Sequence, residues 1–67
     1  MRELKLLTGR TVIVATPATT VRGVVESASR SFLTLVTAVC LDTTPEIPID
    51  GSVMFPVSTI SYVQVVE

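Results

Sequence analysis

Apolar and polar positions in this chain come in short bursts of alternation, with no stretch holding the three-to-four-residue spacing of an amphipathic helix. The run from Arg10 to Thr16 is dense in β-branched residues. Pro17, Ala18 and Thr19 then break it, and Thr20 to Glu26 resumes the same chemistry. This pattern predicts two antiparallel strands joined by a short turn. In the second, Val21, Gly23 and Val25 share one face and Arg22, Val24 and Glu26 the other, so one face is read as inward and one as mixed. Gly23, in the middle of that strand, predicts a sharp bend.

A polar turn over Ser27 to Arg30 leads into the longest apolar stretch, Ser31 to Leu41. Strict alternation places Leu33, Leu35, Val39 and Leu41 on one face and Phe32, Val36, Ala38 and Cys40 on the other. Neither face is polar, and a strand apolar on both sides expects cover on both. Asp42 to Asp50 holds two prolines and three carboxylates, which predicts a surface loop or ragged strand edge. Gly51 to Pro56 and Ile60 to Val66 read as two last strands, with Val57, Ser58 and Thr59 forcing a sharp change of direction between them. The expectation is therefore an all-β, five-stranded single domain over residues 1–67, without internal repeat or linker.

With 67 residues the chain encloses one small core, and domains of this size usually add disulfides, a metal or partner subunits. One cysteine and no histidine exclude an internal disulfide and the familiar Cys/His zinc sets, so no metal or cofactor is expected. Self-association is the remedy left, and 48% hydrophobic against 16% charged residues agrees with it. The N-terminal segment Met1 to Leu7 is interrupted by charges and lacks the apolar core of a signal peptide. No run is long enough to span a membrane, so a soluble, cytoplasmic protein without membrane contact is expected. Catalysis is not expected either: the carboxylates are scattered, and no spacing pairs Lys5, Tyr62 or Cys40 with a nucleophile or base. Cys40 on its apolar strand reads as a small hydrophobe. Gly51 belongs to no phosphate-cradling motif.

The net charge is −1, yet Arg2, Lys5, Arg10, Arg22 and Arg30 all precede residue 31, and every later charge is acidic. Ordinary surface charge with pairing between the halves explains this division, as does a basic face suited to phosphate. Arg10 and Arg22, on adjacent strands, are candidates for one basic patch. A pI near 5.2 argues against affinity drawn mainly from neutralised phosphates.

Leu6, Gly9, Val12, Val14, Val21, Gly23, Val25, Leu33 and Leu35, followed by the stretch Ile49 to Val63, resemble the two motifs of the Sm-like small barrels. The likeness covers nearly the whole chain, and SH3-like barrels share much of the pattern. The resemblance implies a strongly bent five-stranded barrel and a ring of about six or seven copies. The fourth strand of one copy, here Val53, Met54 and Phe55, would pair with the fifth of the next, here Ile60, Tyr62, Val63 and Val65. It also implies single-stranded RNA as a partner. The family's RNA-binding positions hold an Asp or His before an Asn, and an Arg-Gly pair; this chain has Ser29 to Phe32 and Phe55 to Ser58 in those places. The usual uridine-reading groups are therefore missing.

What remains for RNA is Arg30 with Phe32, a cation beside an aromatic as single-strand sites use them, with Pro56 and Ser58 facing them. The plainer reading makes Phe32 a core or interface residue and Arg30 a solvated turn residue. Two functions stand open on the sequence: a homo-oligomeric Sm-like module that touches RNA, or a bacterial or phage adaptor that keeps the barrel and docks onto another protein.

Overall fold

A computed structural model describes residues 2–66, with side chains for residues 4–66. Arg2, Glu3 and Glu67, counted above in the charge division, have side chains outside this range. A 3-10 helix over Arg2–Leu7 precedes six strands: β1 (Thr11–Ala15), β2 (Thr20–Ala28), β3 (Phe32–Cys40), β4 (Ile47–Ile49), β5 (Val53–Pro56) and β6 (Tyr62–Val65). All join one open antiparallel sheet in the order β4-β3-β2-β1-β6, and β5 also pairs with β3. No helix among the described residues is long and apolar enough to cross a membrane.

The β1–β2 turn forms where proline breaks the β-branched run. The Thr16 amide donates to the Thr19 carbonyl at 2.8 Å, and the Thr16 hydroxyl oxygen accepts from the amides of Ala18 and Thr19. Pro17 in second place has its φ preset for such a turn. The hairpin sets Val12 opposite Gly23 and Val14 opposite Val21. Val12, Val14, Val21 and Val25 are buried, together with Leu4, Leu33, Leu35, Ala38 and Phe55. Each fully buried Val or Leu contributes about 1.5–3 kcal/mol, which makes this cluster the main driving force for folding.

The expected division of β3 into two regular faces fails at one residue. Leu33 and Leu35 are buried as the alternation predicts, but the next buried position is Ala38, assigned above to the opposite face. Thr37 adopts φ 53°, and Thr37 and Ala38 together face Gly23, because Arg22 pairs with Val39 while Val24 pairs with Val36. The extra residue turns Ala38 onto the core face and bends the sheet, as bulges do. A second irregularity, at Glu26, has the opposite sense and restores the register, so β2 continues through Ser27 and Ala28, two residues beyond the expected strand.

The acidic, proline-containing stretch also differs from its reading as loop or ragged edge, since Ile47–Ile49 forms β4 against Ala38, Val39 and Cys40. β5 pairs with the other half of β3, from Phe32 to Leu35. Asp50, Gly51 and Ser52 lie between, opposite Val36 and Thr37, with Gly51 at φ 78°. A single crease thus runs through Gly23 on β2, Thr37 on β3 and Gly51 between β4 and β5. The additional strand β4 comes from the stretch read as loop or ragged edge, so six strands stand where five were expected.

Candidate nucleic-acid interface

Two tight connections meet at one end of the sheet. In the β2–β3 turn the Ser29 amide donates to the Phe32 carbonyl at 2.8 Å, and the Ser29 hydroxyl oxygen accepts from the amides of Ser31 and Phe32. The β5–β6 connection is a 3-10 turn over Val57–Thr59, where the Thr59 hydroxyl donates to the Pro56 carbonyl and the Ile60 amide to the Val57 carbonyl. The Val57 amide donates to the Ser31 carbonyl at 2.8 Å and so ties the two turns together.

Between them lies an open recess of about 470 Å³, lined by Arg30, Ser31, Phe32, Pro56, Val57 and Ser58. The structure therefore brings Arg30 and Phe32 of one turn together with Pro56 and Ser58 of another far along the chain. Phe32 opens β3 opposite Pro56 and is 41% exposed, so it belongs to neither the core nor a covered face of the single chain. Arg30 is exposed, and among the described residues the one ion pair lies elsewhere, between Arg22 and Glu46. A guanidinium and an exposed aromatic side chain opposite a proline are the groups on which a base can stack while its phosphate meets the cation.

Arg10 and Arg22 are not drawn into this recess or onto one patch. Arg22 is opposite Ile13, whereas the Arg10 carbonyl accepts from the Val25 amide, which places the two arginines three rungs apart, roughly 10 Å along the hairpin. Arg22 also holds Glu46 at 2.9 Å, which ties the β3–β4 loop to β2. The division of charge noted in the sequence is used here, at least in part, for pairing between halves.

The residues named as interface candidates lie along β5 and β6, with Ile60 in the connector before β6, and the outer edges of these strands have no strand partner among the described residues. Met54 and Tyr62 are 58% and 56% exposed, Val65 is exposed, Val53, Ile60 and Val63 are half-buried, and Phe55 faces the core. A second concavity, about 580 Å³ and mostly apolar, runs between the β1–β2 turn (Thr16 to Thr19), Phe55 and the connector from Ser58 to Ser61. No sequence signal marks it, because its two walls lie some forty residues apart and are ordinary turn residues when read singly.

Sequence reasoning also missed Asp42. Its carboxylate accepts from the Thr19 hydroxyl, the Thr20 amide and the Cys40 thiol, and so clamps the start of β2 to the end of β3. The Thr19 hydrogen bond, with help from Thr20 and Cys40, lowers the Asp42 pKa from its ordinary value against a smaller opposing effect of burial. An Asp just past a strand end is the one local hint of such a clamp. Among the described residues no group of three or more His, Cys, Asp or Glu side chains is arranged to hold a metal ion. No protein-family model and no curated protein matches the chain.

Proposed function

We propose that this chain is a non-catalytic, cytoplasmic, Sm-like module that assembles head to tail with copies of itself and contacts single-stranded RNA through the recess at Arg30 and Phe32. The recess is the observation that carries the RNA reading. Two turns distant in sequence are hydrogen-bonded together around an exposed aromatic ring and an arginine without an acidic partner among the described residues. The order β6-β1-β2-β3-β5, the crease at Gly23 and Thr37, and two unpaired outer edges support the small bent barrel and its assembly through β5 and β6. Such a junction uses two different surfaces, so it forms a ring when the rotation between copies closes, and a ring repeats a weak site once per copy.

One observation favours a second reading, in which the module docks onto another protein. The pI is near 5.2 and Arg22 is already paired with Glu46, which leaves little positive charge for phosphate. Fluorescence anisotropy with a labelled single-stranded RNA oligonucleotide separates the two. The RNA reading expects binding that disappears in the Arg30→Ala, Phe32→Ala double variant while the mass by light scattering stays that of the wild type. Absence of binding by the wild-type oligomer would leave the protein-docking reading.

A further inference from the structure

Much of the backbone around the recess is already engaged within the chain. The Ser31 carbonyl accepts from the Val57 amide, the Val57 carbonyl from the Ile60 amide, and the Pro56 carbonyl from the Thr59 hydroxyl. On the facing turn the amides of Ser31 and Phe32 donate to the Ser29 hydroxyl oxygen. Pro56 has no N–H, so four of the six lining residues offer the recess no amide. The bonds that tie the two turns together have used the groups that could hold a base edge in one orientation.

The side chains add little that tells one base from another. The six lining residues include no side-chain amide, carboxylate or imidazole. The Ser31 and Ser58 hydroxyls each donate and accept and rotate to suit either pattern, whereas the Arg30 guanidinium only donates. Bases differ in the order of donors and acceptors along their edges, and these side chains present no fixed acceptor. What the recess does offer is apolar area. Phe32 is largely exposed, Pro56 stands opposite it and is exposed, and Val57 adds a half-buried aliphatic side chain.

Resting on the RNA reading above, we infer that the recess selects a nucleotide by the area of its base face and not by its edge, and takes adenine in preference to uracil. Every base has a face that stacks on an aromatic side chain, and where hydrogen-bond readout is missing the preference follows stacking strength. The two fused rings of a purine cover more of Phe32 and Pro56 than the single ring of a pyrimidine. Adenine isolates this effect better than guanine does. Guanine presents two adjacent acceptors that a guanidinium reads directly, whereas adenine presents one acceptor beside a donor. Adenine therefore leaves Arg30, which has no acidic partner among the described residues, to the phosphate.

Fluorescence anisotropy with labelled RNA strands of equal length tests the inference. In these strands cytidine alternates with adenosine, with uridine or with an abasic ribose, an arrangement that avoids self-pairing. The wild-type protein is expected to bind the adenosine strand several-fold more tightly than the uridine strand, and the abasic strand about tenfold or more below the adenosine strand. Phe32→Leu removes the ring at an exposed position, so circular dichroism should be unchanged while the adenosine and uridine strands converge in affinity. Equal binding of those two strands by the wild type, or a preference for uridine, overturns the inference and leaves the RNA reading standing. An abasic strand bound as tightly as the others does the same, since phosphate contact alone would then account for binding. An adenosine preference that survives Phe32→Leu overturns its placement at this recess. Failure of every strand to bind overturns the RNA reading and this inference with it.

Discussion

Gly23 on β2 lies so close to Ala38 on β3 that a Cβ placed on Gly23 would sit 3.3 Å from the Ala38 Cα, with the Leu35 Cβ and the Val36 carbonyl oxygen each at 3.2 Å. The contact is the inside of the crease that bends the sheet. Two of the three atoms belong to backbone and cannot move aside without shifting β3. Gly23→Ala is therefore expected to destabilise the protein by about 1–3 kcal/mol, the usual cost of overpacking a tight core. Urea unfolding followed by circular dichroism measures it, and an unchanged midpoint would mean that β3 yields freely.

Thr37 forms the outside of the same crease, at φ 53°. A β-branched residue in the left-handed region is strained, and asparagine tolerates that region better. Thr37 is exposed, so the replacement disturbs no core contact. Thr37→Asn is expected to stabilise the fold by up to about 1 kcal/mol. Thermal melts of the two proteins decide it, and a lower melting temperature would show that the Thr37 side chain contributes something other than strain.

Met54 is mostly exposed in the single chain, so Met54→Lys should leave the fold intact and break the assembly. Val63→Asp should break it as well, with some loss of stability because Val63 packs against the core. Light scattering gives the mass and circular dichroism the fold. A Met54→Lys protein of unchanged mass would place the interface elsewhere.

The clamp at Asp42 predicts a dependence on pH. The hydrogen bonds from Thr19, Thr20 and Cys40 lower its pKa in the folded state, so the unfolded chain binds the proton more readily. The stabilisation is present above the ordinary carboxylate value, about 4, and disappears as the pH falls through the lowered value. Asp42→Asn should flatten the acid limb of the stability curve. An acid limb identical to that of the wild type would mean that other carboxylates carry it.

If the recess holds one phosphate at each Arg30, Arg30→Lys should retain much of the RNA affinity, while Arg30→Ala should reduce the salt dependence of binding by about one unit of slope for each site engaged. Anisotropy titrations at several salt concentrations test this. An unchanged slope would take Arg30 out of contact with the backbone of the RNA.

Much of the fold was legible in local pattern. β1, β2, β3 and β6 stand within a residue or two of the β-branched runs that predict them, because a half-buried strand must alternate and a proline must interrupt it. Arg30, Phe32, Pro56 and Ser58 were legible as candidates because an exposed cation and an aromatic beside turn residues are few in so short a chain. Other features depend on which strand lies beside which. The switch of Ala38 to the core arises from the bulge opposite Gly23, and β4 exists because β3 offers it an edge. The separation of Arg10 from Arg22, the capture of Glu46 by Arg22 and the groove at Phe55 likewise follow from register. A sequence determines the chemistry and spacing of its own neighbours, but register is decided by the summed packing of residues far apart in the chain, and a shift of one residue turns every following side chain to the other face.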